Sequence, residues 1–158
     1  MNYKAKRGTF DILPKDEDVW NIIQKTCFEI ARLSGYNYIE TPIFEDSKLF
    51  ERTVGIDTDI VEKEMYSFED KGGEYISLRP ENTAGVCRAF IENGLHNTTL
   101  PSRLFYYGPM FRYERPQSGR FRQFHQFGVE CIGDDSSGVD FEIIRIAWDI
   151  LNLSLIHI

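Results

Sequence analysis

An α+β fold, an antiparallel sheet flanked by helices, is what this chain predicts, and three features carry that expectation. Two stretches dense in Phe, Tyr, Val and Ile, 104–113 and 123–132, are separated by a polar loop holding Pro116, Ser118 and Gly119. That is the composition of two strands joined by a long connection. A second pair of β-rich stretches, 57–68 and 74–79, flanks Gly72 and Gly73 and predicts a hairpin. Apolar residues recurring at three and four over 16–34, and again over 139–151, predict amphipathic helices.

In chain order, residues 4–14 read KAKRGTFDILP, a basic tip followed by Gly8, Asp11 and Pro14. This suits an extended arm and, taken alone, a frayed terminus. Val19, Ile23, Cys27, Ile30 and Ala31 recur along the first helix, with acids at its front and Gly35 as its stop. Residues 36–44 predict a short strand broken by Pro42. Asp46 is placed to cap a short helix through Arg52 that Gly55 closes. After the hairpin, a helix is predicted from Thr83 to Asn93, ended by Gly94. Residues 134–138 form a loop, and Phe141, Ile144, Ala147, Trp148 and Leu151 mark the last helix, with Asp140 and Glu142 in its first turn. The closing LSLIHI is apolar and abrupt, which predicts a truncated chain.

With 158 residues and apolar and charged fractions of 42% and 27%, one domain with a real core is affordable. No run reaches the apolar length of a membrane span, and MNYKAKRGTF lacks the apolar stretch of a signal peptide, so a cytoplasmic location is expected. Cys27, Cys87 and Cys131 are scattered, odd in number and without a CxxC pair, which argues against disulfides and a zinc site. His96, His125 and His157 show no metal-ligand spacing, and alternation turns His125 away from Phe124 and Gln126; no metal ligand is expected.

Charge is distributed unevenly. The chain carries −7, yet the window 112–122 holds Arg112, Arg115, Arg120 and Arg122 against the single acid Glu114, a local +3. Guanidinium forks match phosphate oxygens, and the neighbouring Phe121 and Phe124 offer faces on which a base stacks. The plainer reading is a solvated hairpin whose arginines pair with surface acids. Gln126 and Glu130 share the Phe124 face of an extended strand, which lines up a ring, an amide and a carboxylate. An overall acidic chain is a poor partner for nucleic acid, so only a local site or a further domain would hold RNA. Glu81, at the handover from strand to helix, has two readings: a cap for the helix N-terminus, or, with the Thr83 hydroxyl, a receptor for an ammonium group.

The stretch FRYERPQSGRFRQFHQFGVE resembles motif 2 of class II aminoacyl-tRNA synthetases, and its extended pattern RPQ-x-GR-x-RQFHQ is similar to the histidyl-tRNA synthetase version. RGT-x-D-x-LP at the start, TDIVEKEMYSFED and RPE-x-T also resemble that family, the last with Asn82 where Gly is expected. The helix and strand over about 16–44 resemble motif 1, the dimer element, and motif 2 spans about 103–133. The resemblance covers Lys4 to about Leu151 and implies the N-terminal part of a class II catalytic domain over 1–158, with an incomplete sheet and without motif 3 or the anticodon-binding domain.

Such a resemblance implies activation of histidine by ATP to histidyl-adenylate and pyrophosphate, followed by transfer to tRNA(His), with Mg²⁺ on the phosphates and a homodimer as the working form. By family likeness, Arg112 grips the α-phosphate and faces the histidine as the catalytic residue, and Arg120 takes the outer phosphates. Glu114 meets the adenine edge and Phe124 its face. Glu81, Thr83 and Gln126 receive the ammonium of histidine, and Glu130 accepts from its imidazole. The segment alone is expected to be inert and poorly soluble. Two alternatives remain open: the synthetase-like, histidine-binding regulatory subunit of ATP phosphoribosyltransferase, and another class II synthetase of the threonyl, prolyl or seryl kind. The intact arginine set disfavours the first of these, and RQFHQFGVE with VEKEMY the second.

Overall fold

The computed structural model describes residues 3–55, 64–115 and 117–154. Its elements are α1 (Glu17–Leu33), β1 (Asn37–Tyr38), β2 (Phe44–Asp46), α2 (Ser47–Val54), β3 (Tyr66–Glu69), β4 (Tyr75–Leu78), α3 (Thr83–Glu92), β5 (Ser102–Phe111), β6 (Gln123–Ile132) and α4 (Ser137–Ser154). Short 3₁₀ turns occupy Pro14–Asp16 and Leu95–Asn97. The chain divides into two compact units: Met1–Asp11, Glu40–Asn93 and Gly108–Gln126 form the first, and Ile12–Ile39, Gly94–Tyr107 and Phe127–Ile158 the second.

In the first unit, β4 is the centre of an antiparallel sheet of order β2-β4-β3, with Phe44 and Tyr66 both opposite Leu78. The predicted hairpin is present as β3 and β4. Its turn is held by the Asp70 carboxylate, which accepts from Gly72 N at 2.7 Å and Glu74 N at 2.9 Å. The earlier part of that expectation, 57–63, lies outside the described residues. Asp46 caps α2 as predicted, its Oδ1 accepting from Lys48 N at 2.9 Å, and Gly55 closes the helix at φ +99°. Phe50, Ala84, Val86, Phe90 and Met110 are buried in this unit.

In the second unit, α1 ends in the hydrogen-bond pattern of a Schellman motif. Tyr36 N reaches Ala31 O at 2.9 Å, Gly35 N reaches Arg32 O at 3.0 Å, and Gly35 takes φ +81°. Cys27, Ile30 and Ala31 of α1, Tyr36, Phe105 of β5, and Ile146 and Ile150 of α4 form one core, with Phe28 packed edge-on to Phe105 at 5.1 Å. Gly128 of β6 leaves room for the Tyr106 phenol ring, which a Cβ would overlap.

Three expectations are corrected. The strand read over 36–44 is two short strands in different sheets, because Pro42 interrupts the ladder: β1 pairs with β5 and β2 with β4. The β1–β5 pair is parallel, Asn37 opposite Leu104, so the sheet β1-β5-β6 is not purely antiparallel. The apolar residues picked out in the last helix are its outer face: Phe141, Ile144 and Trp148 are 68%, 68% and 65% exposed, while Val139, Ile146 and Ile150 are buried. Val19, counted on the periodic face of α1, is likewise exposed.

Candidate functional site

The first unit brings the arginine loop against the strand-to-helix turn that carries Glu81. Arg112 follows the last residue of β5, so its backbone leaves the sheet while its amide still donates to Arg122 O at 3.0 Å. Its Nε donates to Pro80 O at 2.8 Å, which fastens the guanidinium to the residue preceding Glu81. The same guanidinium lies 5.2 Å from the centre of the Phe124 ring. Arg112, Glu114, Gly119, Arg120, Phe121, Phe124 and His125 line an open pocket of about 280 Å³. All four residues assigned to the nucleotide, Arg112, Glu114, Arg120 and Phe124, therefore border one concavity.

His125 borders it too, although alternation had turned it away, and burial pulls its pKa below the usual imidazole value. Glu114 is engaged by Arg120 at 3.4 Å, with the arginine largely exposed. Arg122 stacks over Tyr113 at 3.7 Å and donates from Nε to Glu114 O at 3.3 Å. The loop is thus held by two arginines and leaves Arg112 facing the pocket.

Glu81 realises the capping reading. Its carboxylate accepts from Thr83 N at 2.5 Å and Ala84 N at 3.0 Å, satisfying orphan donors of α3. Those two bonds leave acceptor capacity on the carboxylate. Gln126 lies two residues beyond Phe124 on β6, and its Oε1 is buried with no hydrogen-bond partner among the described residues. Glu130 stands four residues further along β6, in the second unit.

Sequence reasoning missed the residues that shape this turn. Arg79 is 5% exposed, and its guanidinium donates to Pro109 O at 2.9 Å and Thr41 O at 3.0 Å. Gly108 makes room for it, since a Cβ there would stand 2.5 Å from Arg79 Nη2. Asn82, 1% exposed, accepts from Thr41 Oγ1 at 2.6 Å. The change from the expected Gly is therefore not inert: Asn82 helps hold Thr41 and Arg79 (Nη1 at 3.5 Å) beneath the turn. An arginine followed by proline carries no local signal for burial, so only its tertiary partners reveal this role.

The arm at the start is also fastened. Arg122 N donates to Gly8 O at 2.7 Å, and Phe10 packs edge-on to Phe121 at 4.8 Å. A larger hollow of about 540 Å³, lined by Leu49, Ala84, Cys87 and Ile91 together with Arg52, Thr53, Arg88 and Glu92, holds none of the arginines of the 112–122 loop. Among the described residues no group of three His, Cys, Asp or Glu could hold a metal ion, and no helix is long and apolar enough to cross a membrane.

The histidyl-tRNA synthetase family model matches residues 8–157. Curated relatives named histidine–tRNA ligase include those of Dehalococcoides mccartyi, 52% identical over 151 residues, and Thermosipho melanesiensis, 60% identical over 145 residues. The alignments take in 96% and 92% of this chain but 36% and 35% of those relatives, so the chain spans little more than a third of their length. Among solved structures, the apo S. aureus histidyl-tRNA synthetase is similar with a TM-score of 0.80 at 41% identity, over 96% of this chain and 34% of that one. A Bacillus halodurans ATP phosphoribosyltransferase regulatory subunit/histidyl-tRNA synthetase is similar with a TM-score of 0.82 at 28% identity, over 98% and 38%. The class II core, the arginine-lined pocket beside the Glu81 turn and these likenesses agree: this chain belongs to the histidyl-tRNA synthetase family.

Proposed function

We propose that this chain supplies ATP and histidine contacts to a histidine–tRNA ligase, which activates histidine to histidyl-adenylate and then passes the histidyl group to tRNA(His). The observation that carries the reading is the convergence of Arg112, Glu114, Arg120 and Phe124 on one pocket next to the Glu81 turn. Adenine would lie on Phe124 with its polar edge toward Glu114, and the phosphates would meet Arg112 and Arg120. Attack of the histidine carboxylate on the α-phosphate adds charge around phosphorus and expels pyrophosphate. A guanidinium already oriented by Pro80 O offsets that charge without reorganising. No protein nucleophile is needed; alignment of the two anions does most of the work.

For the amino acid, the remaining acceptor lone pairs of the Glu81 carboxylate and the buried Oε1 of Gln126, which has no partner among the described residues, suit an ammonium with its three donors, and the Thr83 hydroxyl is proposed beside them on family likeness. Glu130 is proposed for the imidazole on family likeness. The pocket's one acid, Glu114, is engaged by Arg120, so magnesium would arrive on ATP's own phosphate oxygens, and no step above is assigned to it. A homodimeric, cytoplasmic working form follows the same family likeness. The regulatory-subunit reading is not favoured: its structural relative shares 28% of the sequence, whereas the relatives named histidine–tRNA ligase reach 60%.

The test is binding of ATP by the chain, measured by equilibrium dialysis with and without Arg112→Ala. Loss of a charge-assisted contact, about 1.5–3 kcal/mol, predicts weakening of roughly 10- to 100-fold. Affinity indifferent to the substitution would reject the assignment.

A further inference from the structure

The stretch before α1 looks expendable by sequence, yet its backbone is wired to the catalytic arginine. Gly8 O accepts from Arg122 N at 2.7 Å, and Arg122 O accepts from Arg112 N at 3.0 Å, so two hydrogen bonds and one residue connect Gly8 to Arg112. A second, longer bond, Gln123 N to Gly8 O at 3.4 Å, anchors the first residue of β6 at the same carbonyl. Phe10 then packs against Phe121, one of the residues lining the pocket. The arm itself is turned by Thr9, whose amide and hydroxyl both donate to Lys6 O, at 3.0 and 2.8 Å.

Position 8 admits only glycine for two separate reasons. Its φ of +85° lies where L side chains are rare. A Cβ would also stand 2.7 Å from Arg122 Cγ, whose side chain is held between Tyr113 and Glu114 O and has little freedom to retreat.

We propose that Gly8, supported by Phe10, is a positioning residue for the nucleotide pocket: it clamps the return of the 112–122 loop and so sets where the arginines meet phosphate. This rests on the pocket binding ATP as proposed above. Displacing Arg122 moves the loop that carries Arg112, Glu114 and Arg120, whereas the stacking face of Phe124, held within β6 beyond the anchored Gln123, moves less. Phosphate recognition is therefore affected more than recognition of the base, a distinction that general loss of structure does not produce.

The experiment is equilibrium dialysis of ATP and of adenosine against the full chain, its Gly8→Ala variant and its Arg112→Ala variant, with circular dichroism melts of each. Gly8→Ala is expected to weaken ATP by roughly 10-fold or more and adenosine by less than about 3-fold, since loss of the arginine contacts alone is worth that much. Should Gly8→Ala not fold, Phe10→Ala, which leaves the backbone bonds intact, carries the same comparison with a smaller ATP loss of about 3-fold from the missing ring pair. Equal losses for ATP and adenosine, or none, in the folded variant overturn the clamp. If Arg112→Ala weakens ATP and the arm variant does not, the clamp alone fails. If the chain does not bind ATP, or Arg112→Ala has no effect, the nucleotide reading fails and the clamp with it.

Discussion

Arg79, Thr41 and Asn82 form a buried polar cluster beneath the Glu81 turn, and its geometry sets the cost of losing any one partner. Thr41→Val keeps the shape but leaves Asn82 Oδ1 without its 2.6 Å donor, so a loss of about 1–3 kcal/mol is expected in urea unfolding. A change within error would mean that the cluster is not formed. A second network ties Glu142 to Arg103 at 3.1 Å and to the Tyr36 hydroxyl at 2.8 Å. The hydrogen bond from Arg103, above all, holds the Glu142 carboxyl below its usual 4.5, while burial followed by Glu142 raises the Tyr36 phenol. Because the folded pKa is the lower one, the stabilisation is complete above the unfolded value and disappears as pH falls through the folded value. Glu142→Gln should therefore flatten the acid side of a melting-temperature profile below about pH 4.5, the side on which a carboxylate with a lowered folded pKa gives up its stabilisation. An acid limb unchanged by the substitution would show that another group sets it.

Helix α4 presents apolar residues nearly all round, so its spacing supports a helix without choosing its inner side. Packing makes the choice: α4 meets α1 through Ile146 and Ile150 and leaves Phe141, Ile144 and Trp148 outward. Ile146→Ala should then cost about 2–5 kcal/mol, the usual range for truncating a buried aliphatic, whereas Trp148→Lys should stay within about 0.5 kcal/mol. Chemical denaturation of the two variants reads this directly, and a reversed order would put the other face inward. Strand β1 teaches a related lesson. Two residues suffice there because each pairs in register with β5, Asn37 with Leu104 and Tyr38 with Phe105. Composition marks such a segment as extended and is silent on whether its partner is parallel.

The chain spans about 36% of the length of a relative such as the Dehalococcoides mccartyi ligase, and the pocket that carries its candidate site is built from residues of the first unit. Activation needs both anions aligned at once, so the 158 residues by themselves should give no histidine-dependent exchange of pyrophosphate into ATP, even where ATP binding persists. Exchange above a no-histidine control would show that this segment is sufficient for the chemistry.

Much of this was legible in advance. The strands around the arginine loop, the Asp46 cap, the Gly35 and Gly55 stops and the RPE-x-T turn each depend on neighbours within a few residues, and local propensity and spacing report such interactions. Clustering of arginines on an acidic chain was legible for the same reason, and the fold brings Arg112 and Arg120 of that cluster to one pocket. The bond from Arg122 to Gly8, the burial of Arg79 against Thr41 and Pro109 and the inner face of α4 were decided by folding. Most of these join groups tens of residues apart, or choose among equally apolar faces. The energy that selects them exists only once distant segments have been brought into contact.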